Sequence, residues 1–364
     1  MPRLDDAQRR DWLRLIRTEN IGPRSFRSLI DRFGSAAAAI EALPSLARRG
    51  GGLIAPRVPD AREADAEIAA LARLGGRFIG LDEPDYPPAL RETEGAPPLI
   101  AVRGRIDMLT RPMVAVVGAR NASGAGRMMA AKLSRELGRT GLIIASGLAR
   151  GIDAAAHEAG LDTGTLAALA GGHDRPYPPE NLPLLEQILE RGVVITEMPL
   201  GWVPRARDFP RRNRLVSGVS LAVLVVEAAE RSGSLITARL AGEQGRDVFA
   251  VPGSPLDPRA AGTNQLIKQG AGLVTSAADI LDALGPLIER APAAFKEPPA
   301  PFAAEEPTES VRTRILGLLG PTPLAVDDLA ELAQASASDV QIVLLELDIA
   351  GRLERHPGGL VSLL

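Results

Sequence analysis

Seven short apolar runs, at residues 113–117, 142–145, 165–169, 193–196, 221–226, 248–251 and, weakly, 273–274, alternate with stretches of helical periodicity. Within each run the apolar character is continuous, so a strand there must be covered on both faces. The helical stretches supply that cover and carry the chain back, which makes neighbouring strands parallel. The expected fold class is therefore α/β, a Rossmann-like doubly wound and mainly parallel sheet. In such sheets ligands sit outside the C-terminal ends of the strands, near the point where strand order reverses.

Around this core the chain divides further. Residues 1–75 read as a helical domain, and Ile21-Gly22-Pro23 followed by an amphipathic stretch is either a helix-hairpin-helix element or a plain helical hairpin. That segment holds 13 Arg against 10 acids, a surplus of 3 that supports modest DNA affinity at best. Residues 76–110, with prolines at 84, 87, 88, 97 and 98, read as an extended connector in which proline excludes a helix and disfavours a central strand. The α/β domain is expected over 111–290 and a Pro/Ala/Glu linker over 291–309. Three helical patterns and a hairpin make residues 310–364 a winged-helix-like domain. Its 4 Arg, with no Lys, against 7 acids would repel a duplex, so it reads as a protein-facing or regulatory module.

Composition removes several functions. There are no cysteines, hence no disulfides, thiolate metal sites or cysteine nucleophile. No run approaches the roughly 20 apolar residues needed to cross a bilayer, and Met-Pro-Arg-Leu-Asp-Asp is not a signal peptide, so the expected location is cytoplasmic. With 42 Lys+Arg against 45 Asp+Glu, any affinity for a polyanion must come from a local patch.

One patch stands out. Residues 205–214 carry five arginines and a single acid, Asp208, just before the run at 221–226. A guanidinium fork matches phosphate oxygens two at a time. Taken alone such a run is more often a solvated face. Its neighbours change that weighting. After the run at 113–117 comes Gly118-Ala-Arg120, with Ser123 as the expected helix N-cap, a place where free N–H groups favour an anion. The spacing is not Gly-x-Gly-x-x-Gly, and no acid follows the next strand to hold a ribose, so a nicotinamide or flavin cofactor is not expected. The second turn runs from Ser146 and Gly147 through Arg150 and Gly151 to Asp153 and His157. Asp153 and His157 are four apart and share a helix face, which suggests either an acid–base pair or two structural groups, with Asp153 read first as an acid that orients an arginine and His157 equally as a packed histidine. A third loop carries Tyr177, able to stack on a base or to pack on its own loop. With aromatics at 3% of the chain, stacking is not the main source of affinity. In the fourth turn Ser232, Gly233 and Ser234 lead a helix with Thr237 one turn in.

These motifs, together with Phe209-Pro-Arg-Arg-Asn-Arg214 and Gly262-Thr-Asn-Gln-Leu-Ile-Lys268, occur in the order found in the DNA-processing protein A (DprA/Smf) family. The chain resembles that family over roughly residues 80–275, and more loosely in its flanking domains. The resemblance implies an extended Rossmann-like fold with an N-terminal SAM or helix-hairpin-helix-like domain and a C-terminal winged helix. It implies a homodimer that binds single-stranded DNA without sequence preference and loads the RecA recombinase during natural transformation. No catalytic residue, metal or cofactor is implied. The implied DNA contacts are Gly118, Arg120, Ser123, Ser146, Gly147, Arg150, Gly151, Asp153, Arg211, Asn213, Arg214, Ser232, Gly233, Ser234, Thr237 and Lys268. Two departures are Ala119, where the family often has a hydroxyl, and His173, where it usually has a smaller or apolar residue. The alternative is a nucleotide phosphoribohydrolase-like enzyme on a related fold. Its Pro-Gly-Gly-x-Gly-Thr-x-x-Glu motif is replaced here by Ser232-Gly-Ser-Leu-Ile-Thr237.

Overall fold

The computed structural model describes residues 3–288, 306–356 and 358–364. Among these, one compact unit takes residues 67–288, and a second joins residues 4–66 to residues 306–364. The linker expected at 291–309 lies outside the described residues except for its last four.

The second unit begins with α1 (Asp6–Ile16), α2 (Pro23–Phe33) and α3 (Ala36–Arg49). Asp5 and Gln8 close a capping box at α1, and Pro23 occupies the first turn of α2, where its missing N–H costs nothing. Leu13, Leu29, Leu43 and Leu46 are buried between them, with the Trp12 and Phe26 rings edge to face at 5.0 Å. The unit boundary falls within α4 (Ala61–Arg73).

The first unit is built on a nine-stranded sheet. Its strands are β1 (Gly76–Gly80), β2 (Leu99–Gly104), β3 (Met113–Val117), β4 (Ile143–Ser146), β5 (Thr165–Ala168), β6 (Val193–Thr196), β7 (Ala222–Val225), β8 (Asp247–Ala250) and β9 (Gly272–Leu273). Their spatial order is β1-β2-β6-β5-β4-β3-β7-β8-β9. From β6 to β9 all pairings are parallel, as continuous apolar runs require. Between the strands lie α5 (Pro88–Arg91), α6 (Gly124–Arg139), α7 (Ile152–Gly160), α8 (Leu182–Arg191), α9 (Asp208–Gly218), α10 (Gly233–Glu243) and α11 (Ala261–Lys268), and α12 (Ala277–Ile288) follows β9. Val114, Val116 and Leu224 pack on Leu133 and Leu137 of α6 and on Ile280 of α12. Val223 and Val225, which alternate with Leu224, are equally buried, so both faces of β7 are covered.

Residues 76–110 depart from the expected connector. They add β1 and β2 antiparallel to the edge of the sheet at β6, and α5 forms a short helix. The prolines are accommodated because they fall between the two strands, where they take no ladder bond, and Pro88 begins a helical turn. Strand order reverses between β3 and β7, which sets a crevice at their C-terminal ends.

The chain ends in α13 (Glu309–Leu318), β10 (Leu324–Ala325), α14 (Val326–Ala333), α15 (Ala337–Ile349), β11 (Leu353–His356) and β12 (Leu360–Leu363). This is a winged helix whose three strands follow the order β10-β12-β11. From Val340 to Ile349 only Asp348 and Gln341 interrupt or flank a run of buried side chains on α15. Val340, Val343, Leu344 and Leu347 face the winged-helix core, and α15 also packs on α2 and α3 of the same unit. Buried Glu346 receives both ends of the Arg312 fork at 3.0 and 3.1 Å, and Arg49 Nε from α3 lies 2.9 Å from the same carboxylate.

Candidate nucleic-acid interface

The loops after β3, β4 and β7 are laced to one another. The Ala119 N–H donates to Glu227 O at 2.7 Å, and the Ile152 N–H donates to Ala119 O at 3.2 Å. Two glycines permit this approach. A Cβ on Gly151, whose φ is +79°, would lie 2.2 Å from Ala119 O. A Cβ on Gly118 would lie 2.6 Å from Ile152 Cγ1. Ser232 caps α10 and shares a 2.7 Å hydroxyl contact with Ser234. Asp208, at the start of α9, accepts from Trp202 Nε1 at 2.9 Å and from the Arg205 N–H at 2.8 Å.

Between these loops lies an open crevice of about 550 Å³. Of the expected contacts it is lined by Gly118, Arg120, Gly147, Asp153, Asn213, Ser232, Gly233, Ser234 and Thr237. Arg150 stands in an adjoining hollow with Tyr177, Pro178 and Phe209, its guanidinium 3.6 Å from Glu180. The other expected contacts do not line this crevice. Gly151 serves the loop crossing above. Buried Ser146 donates its hydroxyl to Val116 O at 2.7 Å. Arg211 and Arg214 are both drawn to the buried Glu197 carboxylate, and Arg214 also donates to Gly95 O. Lys268 is exposed at the end of α11, away from the crevice wall. Ser123 does cap α6, as expected, but that helix start holds the Glu227 carboxylate.

Arg212, within the Phe209-Pro-Arg-Arg-Asn-Arg214 motif, takes the central position in the crevice. It is 5% exposed, donates to Ala168 O at 2.6 Å and also to Gly147 O, and lines the crevice. A Cβ on Gly147 would lie 2.5 Å from its guanidinium, so a larger residue there would displace it. The missed signal is periodicity. Phe209, Arg212, Asn213 and Val216 all line the crevice, and their i, i+3, i+4, i+7 spacing is one face of α9. Arg211 and Arg214 fall off that face. Arg231 also lines the crevice and was not anticipated.

The electrostatics follow from burial. Burial lowers the Arg212 pKa to about 10, with Asp153 opposing and Arg120 adding to the shift. The guanidinium is thus charged at neutral pH. Burial pushes the Asp153 carboxyl up, while Arg212 and the N–H groups of Ala149 and Gly147 pull it down. Those N–H groups donate to Oδ2 at 3.3 and 3.1 Å, so Asp153 orients the turn as well as facing the arginine. Arg120 lies over the Phe209 ring at 5.0 Å, and Tyr177 meets the same ring edge to face at 5.6 Å. Among the described residues neither Arg120 nor Arg231 makes an ion pair.

The two histidines near the site are packed groups. Thr165 Oγ1 donates to Ile144 O, so His157 Nδ1 donates to Thr165 Oγ1, at 2.7 Å, and the buried Nε2 has no partner. Burial, with Arg212 adding, lowers its pKa to about 3. His173 Nε2 donates to Ala101 O at 3.0 Å, and burial lowers its pKa to about 4. An unfolded histidine titrates near 6.5, so the folded state binds fewer protons and stability falls as pH drops below that value. Unfolding free energies from denaturant melts at pH 7.5 and pH 5 should differ by about 2 kcal/mol for each histidine. A flat profile would show that these rings are hydrated.

Fold and site together define a doubly wound α/β protein with an arginine-walled, anion-suited crevice at its switch point, flanked by a helical and a winged-helix segment. Residues 77–285 match the DNA recombination-mediator protein A family, residues 6–70 a DprA-like N-terminal HHH domain and residues 297–359 a DprA winged helix domain. The chain belongs to the DNA recombination-mediator protein A family. It is 39% identical to Protein Smf of Escherichia coli over 304 residues, covering 82% of this chain and 80% of that protein. It is 46% identical to the DNA processing protein DprA of Streptococcus pneumoniae over 219 residues, or 60% and 77% of the two chains. The solved structure of the Streptococcus pneumoniae protein superposes with a TM-score of 0.58 at 37% identity, over 68% of this chain and 82% of that one. A structure of DNA processing protein A from Helicobacter pylori, described for its single-stranded DNA binding mode, superposes with a TM-score of 0.53 at 28% identity, over 57% and 96%.

Proposed function

We propose that this chain binds single-stranded DNA in the crevice between β3 and β7 without sequence preference, and holds the strand for loading of the RecA recombinase during natural transformation, acting as a homodimer. The observation that carries the reading is the division of the arginines. Arg150, Arg211 and Arg214 have carboxylate partners, whereas Arg120 and Arg231 reach the crevice without one. Their charge is available to phosphates, beside N–H groups and hydroxyls at the start of α10. The Helicobacter pylori relative points to the same ligand.

The winged helix fits a different part. In a helix-turn-helix reader the recognition helix enters the major groove. Here α15 is buried on both sides, so the domain serves protein partners and structure in this account. No helix among the described residues is long and apolar enough to cross a membrane, and no cluster of metal-ligating residues is found among them. The chain acts as a binding protein, and incubation with nucleoside monophosphates should release no free base. Competition of a labelled oligonucleotide by unlabelled single strand and by duplex tests the ligand. The single strand should displace it at far lower concentration, and a duplex preference would overturn the reading.

A further inference from the structure

The start of α6 is where a doubly wound fold commonly receives a phosphate. A glycine-bearing turn follows the first parallel strand, and the helix presents its free N–H groups. In this chain the place is filled from within. Glu227, on the loop after β7, is 7% exposed and sets Oε2 3.0 Å from the Ser123 N–H and 3.1 Å from Ser123 Oγ. A Cβ on Gly126 would lie 2.1 Å from that oxygen, so the glycine keeps the seat open for the carboxylate. The other oxygen lies 3.3 Å from Arg259 Nε, and the same guanidinium is held by Asp257 at 2.9 and 3.0 Å. A main-chain donor, a hydroxyl donor and a guanidinium around one anion are the partners a phosphomonoester would take. Beside the carboxylate is a cavity of about 230 Å³, which shares no lining residue with the crevice.

We propose that Glu227 is a specificity-determining residue, an internal carboxylate that occupies the phosphate seat of the first β–α turn and keeps free phosphomonoesters, nucleoside monophosphates included, out of the fold. Its negative charge repels a second anion, and its side chain fills the volume that anion needs. The neighbouring crevice, on the reading above, is then left to a continuous strand. That reading supplies the purpose of the exclusion, while the exclusion itself stands on the geometry of Glu227.

The test is calorimetric titration of the full chain with inorganic phosphate and with adenosine monophosphate. The wild type should bind both ligands weakly. Glu227→Ala, which empties the seat, should bind both ligands at least about tenfold more tightly than the wild type, the gain expected for relieving one repulsive charge contact. Adding Arg259→Ala should remove the gain, which assigns it to this seat. Glu227→Gln keeps an acceptor for Ser123 and removes only the charge. It should show a smaller gain and decides the matter if Glu227→Ala fails to fold. Folded variants that bind no more phosphate than the wild type would overturn the proposal. So would a gain that survives Arg259→Ala. Oligonucleotide anisotropy on the same proteins reads the crevice separately. Its failure in the wild type would remove the DNA reading and leave the phosphate result to decide Glu227.

Discussion

Replacing Arg212 by Met should abolish most single-strand binding and destabilise the α/β unit together. The guanidinium is buried, bonds the carbonyls of Gly147 and Ala168, and faces the buried Asp153 carboxyl. Removing it strands two buried carbonyl acceptors, at about 1–3 kcal/mol for each, and takes away the charge that pulls the Asp153 carboxyl down. It also frees the Gly147 turn that shapes the crevice. The affinity for an oligonucleotide should fall on the order of 100-fold, the lower part of the range seen when a buried charge contact is truncated. Arg212→Lys should recover part of the loss, since both carbonyls accept from Nη1 alone, while the Nε contact to Asn213 Oδ1 at 3.2 Å goes with the fork. Denaturant midpoint and anisotropy check the two effects. A variant with wild-type stability and affinity would show that Arg212 does not organise the site.

Glu346→Ala should produce a loss of similar size, about 3–5 kcal/mol, in the other unit. The Glu346 carboxylate is 1% exposed and joins Arg312 of the winged helix to Arg49 of α3. Without it, the two guanidiniums lose their buried anion and keep, among the described residues, only the exposed Glu306 and, for Arg312, Glu309. The same surface is closely fitted, because a Cβ on Gly50 would lie 2.0 Å from Glu346 O. Asn20 Nδ2 also donates to Ile349 O, and Arg352 donates to Gly50 O at 3.1 Å. Native-state hydrogen exchange should accelerate in α3 and α15 and stay unchanged in β3 and β7. Oligonucleotide affinity at the crevice should keep its wild-type value. Unchanged exchange in α3 would mean that the first and last segments are stable apart.

The sheet was legible because its strands are buried on both faces, a condition written directly into runs such as residues 113–117. The caps at Ser123 and Ser232 were legible for a similarly local reason, a hydroxyl placed one residue ahead of a helix. β1 and β2 were hidden by the prolines around them, which describe the loop between the strands and not the strands themselves. Within residues 205–214 the density of arginine drew attention to Arg211 and Arg214. The helical face that carries Phe209, Arg212 and Asn213 decides which guanidinium enters the crevice. Glu197, which takes Arg211 and Arg214, lies before the run, at the end of another strand. Glu227 filling the α6 start, and α15 docking on α3, are contacts between residues 104 or more apart or from opposite ends of the chain, and no local pattern encodes them.

The most direct test is the salt dependence of oligonucleotide binding in the wild type and in Arg120→Ala. On a single strand the slope of log affinity against log salt is about −0.7 for each phosphate neutralised. Arg120 lines the crevice with no ion pair among the described residues, so its removal should weaken binding to every sequence alike and flatten the slope by about 0.7. An Arg120→Ala protein with the wild-type isotherm and the wild-type slope would place the DNA somewhere other than this crevice.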